Sequence, residues 1–238
     1  LIDLRIERNL SQATLPVLHV KRELADQLLT ESSTTISELE SKLDADWQPA
    51  SLDLNIVLSA TTEIIQQEVT TQNVIALLPG SDAVLKDEFI VVGAHYDHLG
   101  WGGKGSGSRR PDTSAVHNGA DDNASGVAAV LEIAEKLALG KHAPKRSVLF
   151  MAFGAEEMGL LGSKFFTSNP LVDKSQIKQM FNLDMVGRLN PNKPSLTIGG
   201  TGTGLGMEDF LVDHAFNRDF QLSTTPDGYG PSDHAAFY

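Results

Sequence analysis

Histidine and carboxylate residues recur in five short segments of this 238-residue chain. They are Ala94-His95-Tyr96-Asp97-His98, Gly119-Ala120-Asp121-Asp122-Asn123, Glu156-Glu157, Asn182-Leu183-Asp184 and Ser232-Asp233-His234. Imidazole nitrogen and carboxylate oxygen without thiolate form the donor set of catalytic zinc, manganese or cobalt sites. The donors suffice for two divalent ions and leave one carboxylate over for proton transfer. A structural zinc site would usually draw on cysteine, and this chain has none.

Taken singly, these elements carry little. A histidine after a strand is most often a hydrogen-bonded structural residue. Asp121-Asp122 before a helix is most often an N-cap, and Glu156-Glu157 alone is usually solvated surface. Asp184 is the most telling residue by itself, because a carboxylate that follows an apolar strand is costly to bury unless paired or metal-bound. The coincidence of all five segments at the ends of elements is what points to a site.

The surrounding sequence supplies those elements. Phe89 to Ala94, Ser147 to Phe153 and Gln179 to Leu183 are short apolar runs, which predict strands buried on both faces. His95 and Asp97 follow the first, Glu156 and Glu157 the second, and Asp184 the third. Ser195 to Ile198 is a possible fourth strand. A helix is predicted from Ala124 to Leu139, with Val127, Leu131, Ala134 and Ala138 on its apolar face and Gly140 placed to end it. Asp122 precedes this helix, where the N-terminal dipole favours a carboxylate. Shorter helices are predicted from Leu160 to Thr167 and from Met207 to Asn217, and Gly100 to Arg110 is a glycine- and serine-rich loop. This order predicts an α/β fold, a three-layer α/β/α arrangement around a mainly parallel, mixed central sheet. Ligands of such sheets gather beyond the carboxyl ends of the strands.

The N-terminal part differs in composition. Leu24, Leu28 and Leu29 fit one helical face, and a second helix is predicted from Ile36 to Leu43 with Ser33 or Thr35 at its start. Leu52 to Leu58 alternates and predicts a half-buried strand. Glu63 to Thr71 and Asn73 to Leu78 continue in β-type residues, as a meander on one side of the sheet. The expected organisation is an N-terminal segment over 1–47 and a second domain over 48–238.

Composition narrows the function classes. Nineteen Lys and Arg against 31 Asp and Glu give a net charge of −12. That balance argues against nucleic acid or an anionic membrane as partner. The absence of cysteine excludes disulfides and thiol catalysis. No run of roughly 18 or more apolar residues is present to form a membrane span. The chain begins at Leu1 rather than Met, which is read as processing or as a cut from a longer protein.

Five motifs resemble a known family: Gly93-Ala94-His95-Tyr96-Asp97-His98, Asn118 to Gly126, Phe153 to Ser163, Asn182-Leu183-Asp184-Met185-Val186-Gly187 and Ser232-Asp233-His234. They are similar to the signature segments of the M28 family of co-catalytic zinc aminopeptidases, which have the zinc-exopeptidase fold. The resemblance implies His95 and Asp184 as terminal ligands of one zinc ion, Glu157 and His234 as terminal ligands of another, and Asp122 as the bridge. It further implies Glu156 as general base, Asp97 as the group holding the His95 ring, and Tyr229 as a donor to the oxyanion. Position alone does not distinguish the ligand from the base between Glu156 and Glu157. His98 is read as a structural or wall residue, since the implied ligand set is already complete.

The implied activity is metal-dependent removal of N-terminal residues from peptides with a free N-terminus. The metal core alone also serves carboxypeptidases and dipeptidases. Glutaminyl cyclases, which share the fold and use one zinc, are the alternative enzyme class, and a non-catalytic ectodomain is a third reading. Leu15 to Val20 followed by a helix resembles the tail of a protease-associated insert. Family members usually continue past the Ser-Asp-His segment, so the expectation is a domain cut short at its C-terminal end. The family suggests a secreted or periplasmic protein.

Overall fold

The structure, a computed structural model, describes residues 19–59, 61, 68–141, 143–215 and 221–238. These fall into two compact units that meet in sequence at Glu68 and Val69. The unit before the boundary contains helix α1 (Arg22–Leu28) and helix α2 (Ile36–Asp46). Thr35 starts α2 through a capping box. Its side chain accepts from the Glu38 N–H while the Glu38 carboxylate accepts from the Thr35 N–H. The Arg22 guanidinium pairs with Glu40 across the helices. Leu29 is buried, whereas Leu24 is exposed.

The strand expected over Leu52 to Leu58 is not formed. Residues 51–59 carry no regular structure, and Val57 is fully exposed. Alternation alone does not make a strand; a neighbour must pair its backbone. Glu68 to Thr71 is likewise irregular, and residues 63–67 of the expected meander lie outside the described residues. Among the described residues of that region, only Val74–Leu78 becomes a strand, β1.

The second unit is built on a four-stranded sheet of β1, β2 (Phe89–His95), β3 (Ser147–Phe153) and β4 (Ile177–Asn182), in the order β1-β3-β2-β4. β2 runs parallel to both β3 and β4, and β1 is antiparallel to β3. The sheet is therefore mixed and mainly parallel, as expected. One face carries Val91, Leu149, Met151 and Phe153 against Phe166 of helix α4 (Leu161–Ser168) and against Phe237. The other carries Val92, Ala94, Val148 and Phe150 against helix α3 (Gly126–Ala138). Two helical layers thus enclose the sheet, which is why its central strands β2 and β3 are almost wholly apolar and buried.

α3 presents Val127, Val130, Ile133, Ala134 and Leu137 to the sheet. This corrects the expected face, because Leu131 is largely exposed. The i, i+3 row through Val130 and Ile133 packs, not the i, i+4 row through Leu131. β5 (Ser195–Gly199) forms at the expected place but outside the main sheet. It pairs in parallel with β6 (Gln221–Thr225) in a separate two-stranded sheet. Helix α5 (Met207–Ala215) lies between them in sequence, as a parallel pair requires a crossover. No described helix is long and apolar enough to cross a membrane.

Candidate metal and catalytic centre

Register places the chemistry. His95 pairs with Phe153, and Gly93 pairs with Asn182. The carboxyl ends of β2, β3 and β4 therefore lie side by side, with His95, Glu156 and Asp184 just at or beyond them. Gly93 permits this closeness, since a Cβ there would sit 2.5 Å from Phe153 Cε2. Two turns then aim the carboxylates. Ala155 (φ 54°), before Glu156, and Met185 (φ 54°), after Asp184, both adopt the left-handed region that costs most residues about 1 kcal/mol or more. Such strain gathers where geometry matters more than local stability. The Glu156 N–H donates to Asp97 Oδ1 at 3.1 Å, which fixes the start of its turn.

Asp122 reaches the site from a distorted turn, Ala120–Ser125, that leads into α3. The turn is pinned to the end of β4. Buried Asn123 donates from Nδ2 to the Leu183 carbonyl at 2.9 Å, and its Oδ1 accepts from the Gly126 and Met185 N–H groups. Asp121 accepts from the Gly187 N–H at 2.8 Å and from the Ser125 hydroxyl. Asp121 is thus occupied structurally, and its neighbour Asp122 faces the centre.

His95 is almost wholly buried. Its Nδ1 lies 2.9 Å from the main-chain carbonyl of Asp97, so Nδ1 carries the donated proton and Nε2 faces the carboxylates. Nε2 stands 3.2 Å from Asp122 Oδ1 and 3.6 Å from Asp184 Oδ1. Donors on a tetrahedral zinc ion with bonds of about 2.0–2.2 Å are roughly 3.3–3.6 Å apart. Asp184 Oδ1 is buried without a hydrogen-bond partner, a costly state that a bound cation would relieve. Donor atoms of His95, Glu156 and Asp184 all lie within 4.8 Å of one another, and so do those of His98, Asp122 and Glu157. Asp122 stands between the two groups, and the spacing of His95, Asp122 and Asp184 fits a divalent metal. His234 belongs to neither group. His234 and Asp184 both line a cleft of about 750 Å³ that opens between β4 and β5.

The family model described as Peptidase family M28 matches residues 73–238. The chain belongs to this family. Among its M28 relatives, an aminopeptidase of Pseudomonas aeruginosa is 32% identical over 175 residues, covering 73% of this chain and 28% of the relative. The solved zinc aminopeptidase from Bacillus subtilis superposes with a TM-score of 0.51 at 28% identity, over 69% of this chain and 36% of that one. A glutaminyl cyclase from Porphyromonas gingivalis has the same TM-score, 0.51, at 22% identity, over 69% and 58% of the two chains, a likeness of fold alone. The chain spans less than half the length of the curated relatives it matches.

Burial and charge tune the M28 site. Burial pulls His95 toward the neutral form, but Asp184, the Asp97 carbonyl and Glu156 outweigh it and push its pKa up to about 9. Burial raises Glu156 to about 7; His95 opposes this, while Asp233, Glu157 and Asp184 add to it. Asp184 is lowered despite burial, because His95, Ser232 and His234 favour its charge. Burial lowers His234 against the pull of Asp184.

Two of the expected side chains sit differently from the resemblance. The Asp97 group that meets His95 is its main-chain carbonyl, and its carboxylate turns to Glu156 instead. Tyr229 is 71% exposed and does not line the cleft that holds Asp184 and His234. Asn123 and Asp233 went unrecognised as parts of the centre, and His98, read as a structural or wall residue, touches a proposed ligand. Asn123 ties the Asp122 turn to β4, and His98 contacts Glu157 at 2.6 Å. Asp233 is wholly buried beside the site, and burial raises its pKa to about 6 against the opposing Ser163 hydroxyl. Its place directly before His234 is the one sequence signal that could have drawn attention to it.

Proposed function

We propose that this chain carries the catalytic centre of a metal-dependent aminopeptidase that cleaves N-terminal residues from peptides. His95, Asp122 and Asp184 hold one divalent ion, and Asp122, Glu157 and His234 hold the other; zinc is the ion that the donor set and the named relatives favour. The observation that carries the reading is the spacing of His95 Nε2 to Asp122 and Asp184 at 3.2 and 3.6 Å, with Asp184 Oδ1 otherwise unpartnered.

When bound, such ions bring the pKa of a water molecule to about 7 and polarise a carbonyl. The chain's own groups do the rest. Glu156 accepts a proton from the attacking water and delivers it to the leaving amine. In the metal-free chain, burial and neighbouring carboxylates, opposed by His95, already hold its pKa at about 7, above the ordinary carboxylate range. Asp97 keeps Glu156 in place through the Glu156 N–H. Asp122, shared between both donor groups, fixes their separation. Tyr229 is the proposed donor to the oxyanion, a role that requires its exposed ring to turn toward the cleft, and Tyr229→Phe should lower kcat while leaving metal content unchanged. The proposed setting is secreted or periplasmic, which fractionation of the host would test.

The direct test is release of free amino acids from peptides before and after chelation and zinc reconstitution. Activity should vanish with chelator, return with zinc, and fail on the same peptides N-acetylated. Equal cleavage of acetylated peptides would refute aminopeptidase action. The fold shared with a glutaminyl cyclase supports a second reading. Pyroglutamate from a Gln-leading peptide, instead of free glutamine, would establish that reading.

A further inference from the structure

His98 occupies a position that the proposed ligand set leaves without a task. Its Nδ1 lies 2.6 Å from Glu157 Oε1 and 3.8 Å from Asp122 Oδ1. Two donors on one tetrahedral zinc ion stand roughly 3.3 Å or more apart. At 2.6 Å, His98 and Glu157 make a charge-assisted hydrogen bond instead of sharing an ion. A carboxylate oxygen only accepts when ionised, so His98 is the donor and carries the proton on Nδ1.

The ring is held for this purpose. His98 stacks edge-on against His117, with centroids 5.7 Å apart and planes at 66°. His117 is itself anchored, its Nε2 3.0 Å from the Ser108 hydroxyl and its N–H donating to the Gly100 carbonyl at 2.8 Å. The long loop between β2 and the Asp122 turn is thereby folded back on itself, with the Gly102 N–H on the Ala115 carbonyl at 2.7 Å. Gly119 stands beside His98, where an added Cβ would come 3.0 Å from His98 Cβ, and its φ of 62° is one glycine accepts freely. The loop presents a braced imidazole N–H to one carboxylate.

We propose that His98 is a positioning residue that orients Glu157 for its metal ion, with His117 and Ser108 holding the imidazole in place. The proposal rests on the reading of Glu157 as a ligand. Carboxylate ligands need hydrogen-bonded partners to fix which oxygen faces the ion. The sequence reading treats His98 as a wall of the site; the geometry makes it the group behind one ligand.

Stepwise competition for zinc against a chromophoric chelator, in the full chain, tests this. The readout is the number of ions retained and the chelator concentration at which each leaves. Asp184→Asn and Glu157→Gln identify which step belongs to which ion. His98→Phe keeps a ring against His117 and removes the donor. The Glu157 ion should then leave at roughly 10–100-fold lower chelator, with the His95–Asp184 ion unmoved. His98→Asn places an amide N–H near the position of Nδ1 and should recover most of the loss. Wild-type retention in His98→Phe, or an Asn variant no better than Phe, would overturn the proposal. If Glu157→Gln itself keeps both ions as the wild type does, the ligand role of Glu157 fails. If it loses one ion and the His98 variants lose none, only the positioning role fails.

Discussion

Gly230→Ala separates metal binding from folding. A Cβ at Gly230 would sit 2.6 Å from His234 Nε2 and 3.0 Å from Cε1. Ordinary van der Waals contact begins at about 3.4 Å, so the imidazole must retreat by at least 3.4 − 2.6, about 0.8 Å. A free side-chain end can yield that distance cheaply, and the fold should keep its melting temperature within a few degrees. A metal bond cannot, because ligand distances tolerate only about 0.2 Å. Changes in partners of ligands alone cost roughly 10–100-fold in metal affinity, so displacing a ligand should cost about 100-fold or more. The assay is zinc retention per chain under graded chelator, alongside thermal melting of the metal-stripped protein. Gly204→Ala is the control, since its Cβ would meet Met207 only at 3.5 Å, an ordinary contact. Wild-type zinc affinity in Gly230→Ala would refute the assignment of His234 as a ligand. A large loss of stability in the stripped protein would refute the argument that only the imidazole tip must move.

Other outcomes follow from the same geometry. Glu156→Gln should retain both ions and lose about 10²–10⁴-fold in turnover, measured as kcat in zinc-saturated enzyme; near-wild-type turnover would remove Glu156 from its role. Phe166→Ala should destabilise the fold by about 3–5 kcal/mol in denaturant unfolding, because Phe166 is buried against Phe153 and Phe237. In chelator-stripped protein, His95 and Glu156 both have folded pKa values above their ordinary ones, about 9 against 6.5 and about 7 against 4.5. The folded state therefore binds more protons than the unfolded chain between about pH 4.5 and 9, so stability is present at the acid end of that window and declines as pH rises through it. Thermal melts from pH 5.5 to 9 should show this decline. Zinc should reverse it, because metal binding favours the deprotonated ligands.

The parts of this protein that were legible in the sequence are those with strong local signals. β2 and β3 are apolar because both faces are covered, and a covered strand announces itself without a partner in view. The candidate site drew attention for a different reason: five acidic or histidine segments coincide at the ends of elements, and their roles came from the resemblance to a family. Leu52 to Leu58 shows the limit. Its alternation is as good as that of a real strand, but pairing is a property of neighbours that a segment does not carry. β6 has only Leu222 as a strong apolar residue, and its pairing with β5 depends on a crossover through α5. α3 offered two apolar rows, and the choice between Val130 and Leu131 was made by the sheet against which the helix packs. His98 and Asn123 owe their roles to contacts across 59 and 60 residues of sequence. Asp97 shows that a motif can keep a residue near its expected partner while the main chain, not the carboxylate, makes the contact.

The central claim is that Asp122 joins two metal sites in one centre. It is tested most directly by zinc content per chain after reconstitution and desalting, for the wild type and for Asp122→Ala. The account predicts a value near two for the wild type and the loss of both ions together in the variant. One ion per chain, or an ion that stays in place without Asp122, would contradict it.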